Sequence, residues 1–395
     1  MANRFIVWRA GLTVLMGGLA ACSASGTSPP ASTDARATCG AASVIVATSD
    51  YTSSEVGTLG IDGGATFYTG GNTLGSDPAL ASSAGRLFWV DRSGGNVLEL
   101  DPECGTVIQG PWTTSDDGGG STNPQDIAVD PATGNLWIAR FMVSTLLVKS
   151  SDGRTDLGRI DLSQVTMQVT GMPMNPYMSS VRIVGGKAYV ALEMLDPYPY
   201  GIQTSYLAKL DVATALQTGK IEKTLQLKGR NPFGLMVEYE SALYLAEPGD
   251  VDKADETNAG IERVDLGSFS SDLIVVESEI GASVDEISIT AGCGTAIVMG
   301  PQTNYNPTSL ISFNPTTGTI LTPLSQGLLF TDAGFDLAGM AWVPGGVNLV
   351  GDRSASPSGK GYAVHVLSAS SSCDLTVEAR TLFAALPPVA LVPVP

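Results

Sequence analysis

Histidine is nearly absent: His365 is the only one in 395 residues. That excludes a histidine-rich metal centre. Because His365 falls in Tyr362–Leu367, which reads as an outer strand, a Ser-His-Asp triad is equally disfavoured. Basic residues are few, 21 Lys and Arg against 39 Asp and Glu, for a formal charge of −18. Phosphate backbones are bound by clustered Lys and Arg, so nucleic acid is excluded as a partner. Only 15% of residues are charged and 7% aromatic. No run of helical period carries caps at both ends. No Cys-x-x-Cys occurs, which argues against a redox or zinc centre. The glycine-rich run Asp116-Asp117-Gly118-Gly119-Gly120-Ser121 lacks both a lysine and a following helix, so it is a loop and no phosphate cradle.

What is abundant is glycine, 46 residues, and a repeat. Asn123–Phe141 reads as a short strand (Asp126–Val129), a Pro/Gly turn (Asp130–Asn135) and a second strand (Leu136–Phe141), the signature of a tight hairpin. Its second half returns as Gly85-Arg86-Leu87-Phe88-Trp89-Val90, Gly185-Gly186-Lys187-Ala188-Tyr189-Val190-Ala191 and Ser241-Ala242-Leu243-Tyr244-Leu245-Ala246, more faintly around Ile297 and Leu349, with Ile45 first in the series. The apolar centres Ile45, Phe88, Trp137, Tyr189, Tyr244, Ile297 and Leu349 are separated by 43, 49, 52, 55, 53 and 52 residues. Periods of this size belong to propeller blades of four strands. Third strands end in Leu100-Asp101, Leu210-Asp211, Val264-Asp265 and Phe313-Asn314, with Ile61-Asp62 a weaker copy, where an Asp or Asn side chain suits the following turn. The fold expected is therefore all-β: a seven-bladed β-propeller of four-stranded antiparallel blades over residues 39–395. Blade one begins with its second strand (Val44–Thr48), and the apolar tail Phe383–Val394 is expected to supply the missing innermost strand around Val389–Val392, closing the ring.

The first residues carry an address. Arg4 and Arg9 precede an apolar stretch, Ala10–Leu19, too short to span a membrane, and Leu19-Ala20-Ala21-Cys22 follows. This resembles the lipobox of bacterial lipoproteins. The resemblance implies a signal peptide over residues 1–21, cleavage before Cys22, acylation (palmitate among the chains) of that cysteine, and stable membrane attachment through the lipid. Ser23 is not the aspartate tied to inner-membrane retention, so the outer membrane is the expected destination. Loss of Arg4 and Arg9 takes the charge to −20. Residues 22–38 continue as a tether of Ser, Thr, Pro, Gly and Ala with little to bury.

Four cysteines remain, Cys39, Cys104, Cys293 and Cys373, allowing three connectivities. In the expected ring, Cys39 and Cys293 precede second strands, and Cys104 and Cys373 sit in third-to-fourth turns. Pairing Cys39 with Cys104 and Cys293 with Cys373 joins neighbouring blades twice by one geometry. Pairing Cys39 with Cys373 also joins neighbours but strands the other two.

The motifs Asp130-Pro131-Ala132-Thr133-Gly134-Asn135-Leu136-Trp137 and Phe313-Asn314-Pro315-Thr316-Thr317-Gly318, with Asn123-Pro124 and Asn231-Pro232-Phe233-Gly234 before inner strands, resemble bacterial propellers of the NHL, YVTN and quinoprotein-like superfamily. They specify fold more than function. Long loops Glu193–Tyr206, Glu247–Gly260, Gly300–Ser309 and Asp352–Gly361 are where function is expected. Candidate metal ligands are Asp126, Asp285, Glu286 and Asp336 at the channel mouth, near Asn123, Asn175 and Asn231, and Asp250, Asp252 and Asp255 in an acidic loop with Glu256, Asn258 and Glu262. Ca2+ is the ion such oxygen donors suit, although the spacing departs from an EF-hand loop. Tyr198, Tyr200 and Tyr305 are candidate ligand-stacking residues. These features lead to a lipid-anchored binding or scaffold module for an envelope protein or small ligand. The alternative is a propeller enzyme, a metal-dependent lactonase-like hydrolase or a quinoprotein-like dehydrogenase.

Overall fold

A computed structural model describes residues 43–68, 74–116, 119–196, 202–251, 253–300, 308–331, 335–356 and 359–394. The signal, Cys22, the tether and Cys39 lie outside them, as do Asp252, Tyr198, Tyr200 and Tyr305.

Seven antiparallel four-stranded sheets form the ring. Blade one holds β1 (Val44–Ser49), β2 (Ser54–Leu59) and β3 (Ala65–Tyr68). Blade two runs β4 (Pro78–Ser83), β5 (Arg86–Asp91), β6 (Asn96–Leu100) and β7 (Val107–Thr113). Blade three runs β8 (Pro124–Val129), β9 (Leu136–Arg140), β10 (Thr145–Lys149) and β11 (Asp156–Asp161). Helix α1 (Ser163–Thr170) leads to blade four, β12 (Met178–Val184), β13 (Lys187–Leu192), β14 (Tyr206–Asp211) and β15 (Lys223–Gln226). Blade five is β16 (Phe233–Tyr239), β17 (Ala242–Glu247), β18 (Gly260–Asp265) and β19 (Ser270–Val276). Blade six is β20 (Ser283–Thr290), β21 (Cys293–Met299), β22 (Thr308–Phe313) and β23 (Ile320–Thr322). Blade seven is β24 (Leu337–Val343), β25 (Val347–Ala355), β26 (Tyr362–Ala369) and β27 (Leu375–Ala384), and β28 (Pro388–Pro393) returns to blade one.

Burial explains why the repeat is most legible at the second strand. β1, β9, β17 and β21 are buried along their whole length, because a neighbouring blade covers each face. Strands buried on both faces read as continuous apolar runs. Among the described residues the core divides into seven clusters, one between each pair of adjacent blades. The cluster of Val44, Val46, Leu59, Ala341, Leu349, Val364 and Leu391 joins the last blade to the first.

Closure occurs by the expected device. β28 pairs antiparallel with β1, from Val44 with Pro393 to Thr48 with Pro388. Its other edge lines the channel, which is why prolines are tolerated in it. The tail differs from the expectation at one end: Phe383 and Ala384 belong to β27 and pair with Ala363 and Tyr362. Third-strand turns also follow the expected chemistry. Asp62, Asp101, Asp211, Asp265 and Asn314 each accept a hydrogen bond from a backbone N–H two or three residues on.

Cys293 and Cys373 form a disulfide that joins blades six and seven. Cys104 is also disulfide-bonded; Cys39 is outside the described residues.

Candidate functional site at the channel mouth

Every inner strand starts at the same face of the ring, and the second-to-third loops emerge beside it. Five blades close that edge by one bond. The N–H four residues beyond the apolar centre donates to the carbonyl just before the inner strand: Ser49 to Pro387, Arg92 to Asp77, Phe141 to Asn123, Glu193 to Tyr177, and Arg353 to Asp336. The side chains of Ser49, Arg92, Phe141, Glu193 and Arg353 therefore occupy equivalent positions around the mouth. Sequence reasoning named only Phe141, as a strand end, and Glu193, as a loop boundary, although counting four residues on from each repeat centre identifies all five.

Inner strands also slip register near the mouth, between Pro124 and Asp126, Met178 and Ser180, Phe233 and Val237, Val284 and Glu286, and Leu337 and Met340. Such bulges re-aim side chains. Asp126 is fully buried and turns toward the next blade. Its Oδ2 accepts from Ser180 Oγ at 2.7 Å, Val181 N at 2.9 Å and Arg182 Nη1 at 2.6 Å, while Oδ1 accepts from Ile127 N at 2.8 Å. Ser180 Oγ in turn accepts from Met236 N at 3.0 Å, so one chain of bonds crosses blades three, four and five. Glu286 does the same between blades six and seven, accepting from Gly339 N at 2.8 Å and Met340 N at 2.9 Å. Asn175 Nδ2 donates to the Phe141 carbonyl and Asn231 Nδ2 to that of Gly249, tying loops to the mouth.

Asp285 is the exception. It is half-buried at the bulge of β20, and no hydrogen bond to its carboxyl occurs among the described residues. Burial pushes it up to about 6, with Arg353 partly offsetting this. Glu286 rises to about 7, first through burial and then through the neighbouring Asp285 charge, against the two N–H donors that lower it. A basic and aromatic group stands over the following blades, seven, one and two. The Arg353 guanidinium lies 5.1 Å from the Tyr51 ring centre, and burial lifts the Tyr51 hydroxyl to about 12 despite Arg353 and Arg92. Arg92 is paired with Asp77 at 2.8 Å.

Among the described residues the candidate metal ligands do not meet at one point. Asp126 and Glu286 serve inter-blade bonds, Asp285 stands beside Glu286, and the Asp336 carbonyl takes the Arg353 N–H. In the acidic loop, Glu256 folds back to accept from Asp250 N at 2.7 Å and pairs with Arg230. Asp250 faces Lys253 at 2.9 Å, and Asp255 is exposed. Among the described residues no three His, Cys, Asp or Glu side chains are grouped as a metal ion would require.

His365 lies in β26, a third strand, as expected. It has a partner the sequence did not reveal, with His365 Nε2 lying 2.9 Å from Asp352 Oδ2. Ser354 Oγ donates to the other oxygen of the same carboxylate. Burial alone would raise Asp352, yet His365 and Ser354 together hold it below the usual range. Serine and histidine both bond the aspartate and not each other, so the histidine is not placed to activate the serine.

No protein-family profile matches the chain, and no curated protein sequence matches it. Solved structures do resemble it. Hydrazine synthase of Kuenenia stuttgartiensis is 14% identical with a TM-score of 0.55, over 79% of this chain and 88% of that one. A Lactobacillus plantarum protein is 14% identical with a TM-score of 0.56, over 89% and 98%. A Bacteroides fragilis protein described as a 6-phosphogluconolactonase is 13% identical with a TM-score of 0.58, over 92% and 100%. At this identity they establish the class, a seven-bladed β-propeller, and nothing about chemistry.

Proposed function

We propose that the protein is a lipid-anchored propeller of the bacterial cell envelope that binds a polar ligand, or a polar group of a protein partner, at the channel mouth around Asp285. The envelope address rests on Leu19-Ala20-Ala21-Cys22; among the described residues no helix is long and apolar enough to cross a membrane. The binding reading rests on Asp285. A half-buried carboxyl that is kept desolvated at a mouth, and that holds no structural bond, is where a ligand donor gains most. The other mouth carboxylates with bonds of their own, Asp126 and Glu286, are already committed to holding blades together. A group that donates hydrogen bonds or carries positive charge is the complementary chemistry.

The test is a thermal-shift panel on Ala24–Pro395 with calcium chloride, primary amines, neutral sugars and lactones. The reading predicts that at least one compound raises Tm in the wild type and fails to do so in Asp285→Asn. Equal shifts in both proteins, or none across the panel, contradict it. One observation favours a second reading. Carboxyls near 6 and 7 side by side suit proton transfer at neutral pH, as a propeller hydrolase would require. Lactone turnover with a pH–rate break near 6, absent in Asp285→Asn, would move the assignment to that enzyme.

A further inference from the structure

Blade five turns two acids into a space closed to solvent. Glu247 stands opposite Gly260, and Glu262 opposite Leu245, so the two glutamates are diagonal neighbours on one face of the β17–β18 pair. Both are 0% exposed. Glu262 is well supplied, accepting from Lys228 N at 2.9 Å and Gly229 N at 2.6 Å. Neither oxygen of Glu247 meets a donor among the described residues. The side chain placed to bond it is Glu262, an acceptor like itself, so a bond forms only when one of the two holds a proton.

The surroundings leave room for little else. A Cβ on Gly229 would lie 1.7 Å from Glu247 Oε2 and 2.5 Å from its Cδ, so the backbone at Gly229 rests directly on the carboxyl. β14 and β16 turn Leu207 and Met236, not a charge, to this interface. Lys228 Nζ pairs with Asp272 on the outer strand β19, and Arg230 with Glu256. Burial alone pushes Glu193, at the end of β13, well above the usual carboxylate range. Residues 228–231 lead into the inner strand β16 at the mouth and are tied to the long loop after β17. Gly249 N donates to the Arg230 carbonyl at 3.2 Å, and Asn231 Nδ2 to that of Gly249 at 3.0 Å.

We propose that Glu247 and Glu262 share one proton and form a pH-operated latch on residues 228–231, closed while the proton is held and released when it leaves. Burial, and then the charge and bond of Glu262, raise Glu247 well above the usual carboxylate range. A carboxyl raised by folding stabilises below its unfolded value, and that contribution is lost as pH climbs through the folded value. The latch is therefore closed in acid, and the proton passes to solvent base as pH rises. Two like charges then face each other, Glu247 without a donor, and the segment resting on it through Gly229 moves aside to admit water. The Gly249 loop, bonded to that segment, loosens with it. The device is independent of the Asp285 reading and stands or falls without it.

The test uses the full chain and two readouts from about pH 5 to 9. Hydrogen exchange, corrected for the intrinsic rate, follows the amides of residues 228–231; infrared spectra follow the C=O band of protonated carboxyls. In the wild type, amide protection should fall at least about 10-fold in the same pH interval in which one protonated-carboxyl band disappears. Glu247→Gln and Glu262→Gln keep the shape and remove the shared proton, so protection should stay level in both and that band should be missing from Glu247→Gln. Glu193→Gln, which alters a buried carboxyl outside the pair, should keep the wild-type fall. Three results overturn the proposal: level protection in the wild type, an equal fall in Glu247→Gln, or a band that titrates in a different interval from the loop. The wild-type comparison alone decides the matter if a glutamine variant does not fold.

Discussion

At the scale of single residues, the costliest groups in this molecule are carboxyls with little access to water. Glu247 is fully buried, and burial followed by the like charge of Glu262 raises it well above the usual range. Glu262 itself accepts from Lys228 N at 2.9 Å and Gly229 N at 2.6 Å. Glu277 rises to about 8 through burial, although Val284 N donates to it. A carboxyl raised by folding binds its proton more tightly in the native state. Its contribution is present below the unfolded value near 4.3 and is lost as pH climbs through the folded value. Wild-type stability is therefore expected to fall from about pH 4.5 to 8. Glu247→Gln and Glu277→Gln should each flatten that slope, as read from urea midpoints across the range. An unchanged slope in both would show that these carboxyls do not titrate as argued.

At the scale of elements, the bulged inner strands matter most. Asp126 on β8 holds three groups of β12. Asp126→Ala leaves the buried Val181 N–H without this acceptor and the Arg182 guanidinium without its carboxylate, and should cost about 3–5 kcal/mol by chemical denaturation. A loss below about 1 kcal/mol would mean that the blades are joined by apolar packing alone. Asp126 and Glu286 were recognisable in the sequence as mouth carboxylates, but their partners were not. Those partners lie on the next blade, some 53 to 56 residues away, and a bulge sets which face each residue meets. Helix α1 escaped for a local reason. It has no side-chain N-cap bond, no acidic first turn and no basic last turn, and only Gly171 in the left-handed region marks its end. The Cys293–Cys373 bridge was legible because both turn types recur on one face. A bridge of this kind typically contributes about 2–4 kcal/mol.

At the scale of the whole molecule, the ring was legible because each blade repeats one burial pattern, and the repeat survives where two neighbours cover a strand. Tyr51, Arg92 and Arg353 were missed because a single charged or aromatic residue in a loop carries no periodic signal. Only the ring brings blades seven, one and two together around them. The account rests on the mouth near Asp285 being the working surface. Native mass spectrometry of the protein purified from envelope, wild type beside Asp285→Asn, tests this most directly. The account predicts an added mass on the wild type that is lost from the variant at equal Tm. The same mass on both proteins, or no added mass at several expression levels, would contradict it.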